Sequence, residues 1–229
     1  MSKPCPIYGK AIYMDCLDCD ERMCVNVGTK YKTISIGIDQ SYQNTGISIS
    51  ADGRLLLVKS IQLYRYKNNA ERRQKLREAL INMIEKVKPK GNNIICVIER
   101  IRLKSQGFIN INYIKSIGAL NCVIVDVMNA YGIKVYSVDT RCWKSSVVGT
   151  SKAQSNKFGV PDEKWPTVKW CIDKGFRKSI LIDMSKTRKK NGTFTKNGKK
   201  YMYNNDASDS AAISMFYFVG DINKLEEEK

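Results

Sequence analysis

The sequence predicts an α/β fold: a mixed sheet, three antiparallel strands followed by parallel ones, flanked by helices. Three observations predict it. From Tyr31, three runs with the two-residue alternation of half-buried strands follow one another across short polar turns. The period then switches to that of a helix over residues 69–88. Beyond it, short apolar runs alternate with helical ones, the order that lays strands parallel with crossover helices packed on the sheet.

Residues 1–30 stand apart from this body. The stretch "CPIYGKAIYMDCLDCDERMC" has no sustained period and is too short to bury a core of its own, so it needs a staple. Cys16-Leu-Asp-Cys19 has the two-residue gap of a zinc knuckle. With Cys5 and Cys24 it offers four thiolates to one structural Zn2+. Four free thiols on an unstructured arm are the alternative.

The main domain, residues 31–229, opens with the strand "YKTISIGID", which ends on Asp39. A polar turn leads to a second strand, "TGISIS". The turn Ala51-Asp52-Gly53 leads to a third, "RLLLVKSIQLY". Leu76, Leu80, Met83, Ile84 and Val87 then share one helical face, and Pro89 with Gly91 ends that helix. "NIICVIE", residues 93–99, is an apolar run fit for a buried strand. Residues 110–131 form a long, mostly apolar helix, "GIKVYSV" a further strand, and residues 162–174 a helix after Pro161. A very apolar helix over 206–219 follows the insertion 177–204.

That insertion carries Arg177, Lys178, Lys186, Arg188, Lys189, Lys190, Lys196, Lys199 and Lys200 against the single acid Asp183. Asn-Gly pairs at 191–192 and 197–198 mark tight turns. A solvated face is the ordinary reading of such a run, and phosphate contact is the functional one. The whole chain of 229 residues has 39 Lys and Arg against 22 Asp and Glu, a formal charge of +17. Such an excess favours a polyanionic partner, nucleic acid first. No long amphipathic basic helix supports an anionic membrane instead. No apolar run approaches the roughly 18 residues of a membrane span, and the N-terminus lacks a signal peptide, so a soluble, cytoplasmic protein is expected. Cys96, Cys122, Cys142 and Cys171 lie mostly in apolar surroundings and read as buried, reduced thiols. The chain has no histidine, which excludes every His-based triad, general base or zinc site.

Chemistry then falls to the acids. Asp39 ends the first strand, Glu99 ends "IICVIE", and Asp206 and Asp209 open the last helix three residues apart, on one face. Each has an ordinary reading: a turn residue for Asp39, a partner for Arg100 or Arg102 in Glu99, helix capping for the aspartates. If the first and fourth strands are neighbours and the last helix crosses them, the four carboxylates form one cluster. Like charges so gathered need cations. Hard oxygen donors suit Mg2+ or Mn2+, and two such ions would clamp a phosphodiester and activate water without histidine. Asp139 in "VYSVDT" is a fifth acid after a strand, and "DTRCWK" reads equally as a helix cap.

"GIDQSYQNTG", Glu99 after a strand, and "DASDSAA" opening the last helix resemble the RuvC-type Holliday junction resolvases of the RNase H-like superfamily, over residues 31–219. The resemblance implies a metal-dependent endonuclease that cuts branched DNA in recombination and repair. It implies metal-binding roles for Asp39, Glu99, Asp206 and Asp209, and phosphate or transition-state contacts for Lys144 in "DTRCWKSSVVG" and Lys164 in "VPDEKWPTVKW". It makes the 110–131 helix the contact of a homodimer, and Phe108 in "SQGFIN" an aromatic at the junction centre. Arg102 and Lys104 just before it are placed to hold phosphates. The Cys-rich arm and the basic insertion depart from the bacterial housekeeping form and resemble phage- or virus-encoded relatives. Two other classes compete: a zinc-stapled nucleic-acid-binding protein without catalysis, and an actin-like ATPase or sugar kinase, whose first hairpin also carries an acid.

Overall fold

The computed structural model describes residues 31–87, 93–101, 111–184, 193–196 and 198–228. Strands β1 (Thr33–Asp39), β2 (Asn44–Ala51) and β3 (Arg54–Gln62) form an antiparallel meander. Ala51 pairs with Arg54 across Asp52 and Gly53, both at positive φ (45° and 78°), the geometry a tight hairpin turn demands. The Asp52 carboxylate also accepts from the backbone N–H groups of Lys32 and Thr33, which ties the start of β1 to that turn.

Helix α1 (Asn69–Val87) leads to β4 (Asn93–Glu99), and helix α2 (Ile111–Ala130) to β5 (Lys134–Val138). Both strands run parallel to β1, in the order β1-β4-β5. A short helix α3 (Thr140–Trp143) continues into a π-turn over Lys144–Val148, and α4 (Trp165–Asp173) follows. Then come β6 (Leu181–Asp183), β7 (Phe194–Lys196), β8 (Lys199–Tyr203), α5 (Asn205–Val219) and β9 (Glu226–Glu228). The main sheet has the order β3-β2-β1-β4-β5-β9, and β6-β8-β7 make a second, three-stranded sheet.

The alternation in β1 explains the layers. Ile34, Ile36 and Ile38 are fully buried on the side covered by α1 and α2, among Leu76, Leu80, Ile84, Leu120 and Ile124. The small residues between them face α5. A Cβ on Gly37 would lie 2.3 Å from the Ser210 carbonyl oxygen, and one on Gly46 1.9 Å from that of Asp206. Helix and sheet therefore meet at backbone distance, which only glycine allows. Serines lock the contact: Ser48 Oγ donates to the Ser210 carbonyl at 2.6 Å, and the Ser50 and Ser214 hydroxyls are 2.6 Å apart.

The structure corrects several expectations. Helix α2 is, by length and composition alone, apolar enough to cross a membrane, contrary to the reading that no run comes near a span. One side of it, including Ile117, Leu120, Ile124 and Met128, is buried in the core beneath the sheet. Cys96 and Cys171 are buried, and burial pushes the Cys171 thiol up to about 12, but Cys122 is exposed and Cys142 only half-buried. The basic insertion is built partly as β-sheet, with Gly198 at φ 71° in the β7–β8 turn. The edge strand β9 was not expected, because three glutamates carry no strand signal. It is held by pairing with β5 and by ion pairs, Arg100–Glu226 at 2.7 Å and Lys134–Glu227 at 3.3 Å. The four N-terminal cysteines, Arg102, Lys104, Phe108, Lys186, Arg188, Lys189 and Lys190 lie outside the described residues.

Candidate active site

Parallel pairing of β1 with β4 sets Ile38 beside Ile98, so the next residues, Asp39 and Glu99, emerge together at the C-terminal ends of adjacent strands. Asp39 is also opposite Gly46 on β2, the glycine against which the Asp206 carbonyl rests. Helix α5 thus delivers its first turns directly over the strand ends. Asn204 caps that helix by accepting from the Ala207 N–H at 3.1 Å, and is itself fixed by donating to Ser60 Oγ at 2.6 Å. Asp206 and Asp209 are therefore spared the capping role, and Asp209 is fully buried.

The four acids feel one another. Burial, followed by the charges of Asp209, Glu99 and Asp206, pushes the Asp39 carboxyl well above the usual carboxylate range. Burial likewise raises Glu99, opposed by a hydrogen bond from Thr140 and reinforced by the charge of Asp209. Thr140 Oγ1 donates to one Glu99 oxygen at 2.7 Å and Trp143 Nε1 to the other at 3.3 Å. Gln40 donates to the Glu99 backbone carbonyl. Arg100, offered by the sequence as a partner for Glu99, is instead paired with Glu226.

Lys164 supplies the counter-charge. It stands at the N-terminal boundary of α4, and its Nζ lies 2.6 Å from Asp209 Oδ2. Burial alone would lower this lysine, but the carboxylates of Asp209, Asp39 and Glu99 outweigh it and hold the amine charged, well above an ordinary lysine. Lys144 is placed differently. It is buried in the π-turn, donates to the Glu163 backbone carbonyl at 3.0 Å and lies 5.4 Å from the Trp143 ring centroid. It reaches the site through its neighbours, Trp143 below Glu99 and Glu163 beside Lys164. Asp139 caps α3 by accepting from the Arg141 N–H at 2.9 Å. Lys196 and Lys199 are exposed on the β7–β8 hairpin, and Lys200 is half-buried there. Thr140 and Trp143 are functional neighbours that sequence reasoning missed. Both stand in "DTRCWK", where neither carries a signal of its own in the sequence.

The donor set fits a hard divalent cation in kind: carboxylate oxygens, with Asp209 Oδ1 buried and without a hydrogen-bond partner. As the side chains stand, no three acid or thiol groups among the described residues are gathered closely enough to hold a metal ion. The arrangement is an acid cluster whose charge one lysine offsets in part. Asp39, Glu99, Asp206 and Asp209 are the residues that could hold a cation.

The mixed sheet β3-β2-β1-β4-β5-β9, crossed by α5, is the RuvC-like, RNase H-like fold. Two solved structures of RuvC from Thermus thermophilus share it. One, determined in complex with a Holliday junction substrate, superposes with a TM-score of 0.51 at 10% identity, covering 86% of this chain and 99% of that one. The other gives 0.51 at 11% identity, covering 85% and 99%. The yeast mitochondrial Holliday junction resolvase follows at 0.48 and 14% identity, covering 86% and 84%. No family model matches the chain, and no curated protein matches it by sequence.

Proposed function

We propose that this protein is a metal-dependent, structure-specific endonuclease that cuts branched DNA, four-way junctions foremost, as a homodimer. The observation that carries the reading is the gathering of half-buried Asp39 and Glu99, at the C-terminal ends of two parallel strands, with fully buried Asp209 and its partner Lys164. A protein that only binds nucleic acid gains nothing from desolvating carboxylates that repel phosphate. An actin-like ATPase needs a second lobe that the described residues do not supply. The fold shared with RuvC, and the charge of +17, agree with a DNA substrate.

Bound at these carboxylates, Mg2+ or Mn2+ would supply Lewis-acid and water-activating chemistry. The protein's own contribution is placement. Glu99 is held at both oxygens by Thr140 and Trp143. Asp209 keeps one buried oxygen without a hydrogen-bond partner while the other holds Lys164. Exchange of that ion pair would free Lys164 to meet the non-bridging oxygens of a scissile phosphate. Asp39→Asn keeps shape and removes one ligand charge. It should abolish Mg2+-dependent cutting and leave junction affinity unchanged or higher; near-wild-type cutting would sink the mechanism.

Two strands must be cut to resolve a four-way junction, and an isologous dimer supplies two sites. Helix α2 supports that contact. Ile111 and Tyr113 are 62% and 60% exposed, and a Cβ on Gly118 would meet nothing within 4 Å. The Gly118 face is thus open to close approach by a second helix. Light scattering should give the mass of two chains at micromolar concentration, and a monomer with and without junction DNA would refute the dimer.

A further inference from the structure

The β7–β8 hairpin carries an arrangement that folding alone disfavours. Lys196 and Lys199 pair directly across it, both exposed. Like charges at opposed positions repel and destabilise a hairpin. Such an arrangement gains stability when an anion lies across the two amines.

The hairpin is also tied firmly to the acid cluster. Phe194 of β7 stacks on Tyr203 at the end of β8, ring centroids 5.0 Å apart. Phe158 packs against both, at 5.2 and 5.6 Å, and against Trp165 at 5.1 Å. Trp165 is the first residue of α4 and follows Lys164, the partner of Asp209. Tyr203 is buried, its hydroxyl accepts from Arg177 Nε at 3.0 Å, and the next residue is Asn204, the cap of α5. One aromatic cluster therefore joins the hairpin to two of the elements that carry charged groups of the site, α4 beside Lys164 and α5 with Asp206 and Asp209.

We propose that the tip of this hairpin, Lys196 with Lys199, grips the phosphate backbone of a duplex arm at a fixed distance from the scissile phosphate. The inference rests on the nuclease reading for its substrate. At roughly 3.3 Å per strand residue, β8 holds Lys199 about 13 Å from Tyr203. The acid cluster would then act at a set interval from a backbone contact that reads duplex geometry rather than sequence.

Lys199→Glu separates this role from a structural one. It places opposite charges across the hairpin, so the melting temperature should hold or rise slightly. Binding is measured by fluorescence anisotropy in EDTA, where no cutting occurs, with the full chain and a four-way junction bearing long duplex arms. Affinity should fall roughly three- to tenfold, and the slope of log affinity against log salt should lose about one unit, the share of one phosphate contact. With wild-type protein and Mg2+, hydroxyl-radical footprinting should show a protected patch on a duplex arm at a constant interval from the cut, lost in the variant while the cut position stays. Unchanged affinity and salt slope in Lys199→Glu would overturn the proposal, as would a lowered melting temperature that accounts for the loss. If the wild type cuts nothing yet the variant binds junctions more weakly, the nuclease reading fails and the hairpin contact stands.

Discussion

Gly46→Ala is a one-methyl test of how the site is assembled. Gly46 lies on β2 opposite Asp39, and its backbone is one that alanine adopts freely, since its φ is not positive. The added Cβ would sit 1.9 Å from the Asp206 carbonyl oxygen, 2.4 Å from its carbon and 2.9 Å from the Ala207 nitrogen. All three atoms are backbone, so no side-chain rotation relieves the clash. To restore a carbon–oxygen contact of about 3.5 Å, the first turn of α5 must retreat by roughly 1.5 Å. Overpacking of this kind costs about 1–3 kcal/mol, or roughly 2–12 °C in melting temperature for a chain of this size. The retreat carries Asp206 and Asp209 away from Asp39 and Glu99, and a misplacement near 1 Å costs on the order of 100-fold in rate. The assay pairs thermal unfolding with junction cleavage under saturating Mg2+, and junction affinity in EDTA serves as the control for global damage. Cutting should fall far more than affinity. A variant that melts and cuts like the wild type would show that α5 does not seat on Gly46, and the site as described would be wrong.

Thr140→Val removes the 2.7 Å hydrogen bond to Glu99 at nearly constant volume. A hydrogen bond to a charged group contributes about 1.5–3 kcal/mol, so cutting at neutral pH should drop at least roughly tenfold and recover as pH rises. An unchanged pH–rate profile would count against Glu99. Stability in EDTA should also depend on pH in a direction unusual for carboxylates. Asp39 and Glu99 are raised in the folded state, so between about 4, where the unfolded chain ionises, and their raised values the native state binds more protons. Their contribution therefore falls as pH climbs through that window. Asp39→Asn should flatten the fall, seen in denaturant midpoints against pH, and a wild-type curve rising relative to Asp39→Asn across the same window would contradict the linkage.

The first three strands and the helix after them were legible because the chain switches period sharply, from two in β1 to β3 to 3.6 at Leu76, Leu80 and Ile84, whereas β6 to β9 carry no such signal. The four acids were legible because three sit where apolar runs end or begin, and Asp209 lies one helical turn beyond Asp206. Their companions were not. Thr140 and Trp143 reach Glu99 only because β4 and β5 run side by side, a pairing that local sequence does not encode. The role of Asn204 as cap was hidden by two aspartates that fit a capping pattern equally well. The glycine and serine face of β1 and β2 read as mere alternation, although it is what lets α5 come so near.

Cutting of branched DNA by these carboxylates is open to a direct test. The most direct measurement incubates wild-type protein and Asp39→Asn with labelled four-way junction, flap and linear duplex, with Mg2+ and with EDTA. Paired incisions near the branch of the four-way junction are expected, dependent on Mg2+ and lost in Asp39→Asn, with linear duplex intact. Incision that persists in EDTA or in Asp39→Asn, or no incision of any branched substrate, would contradict it.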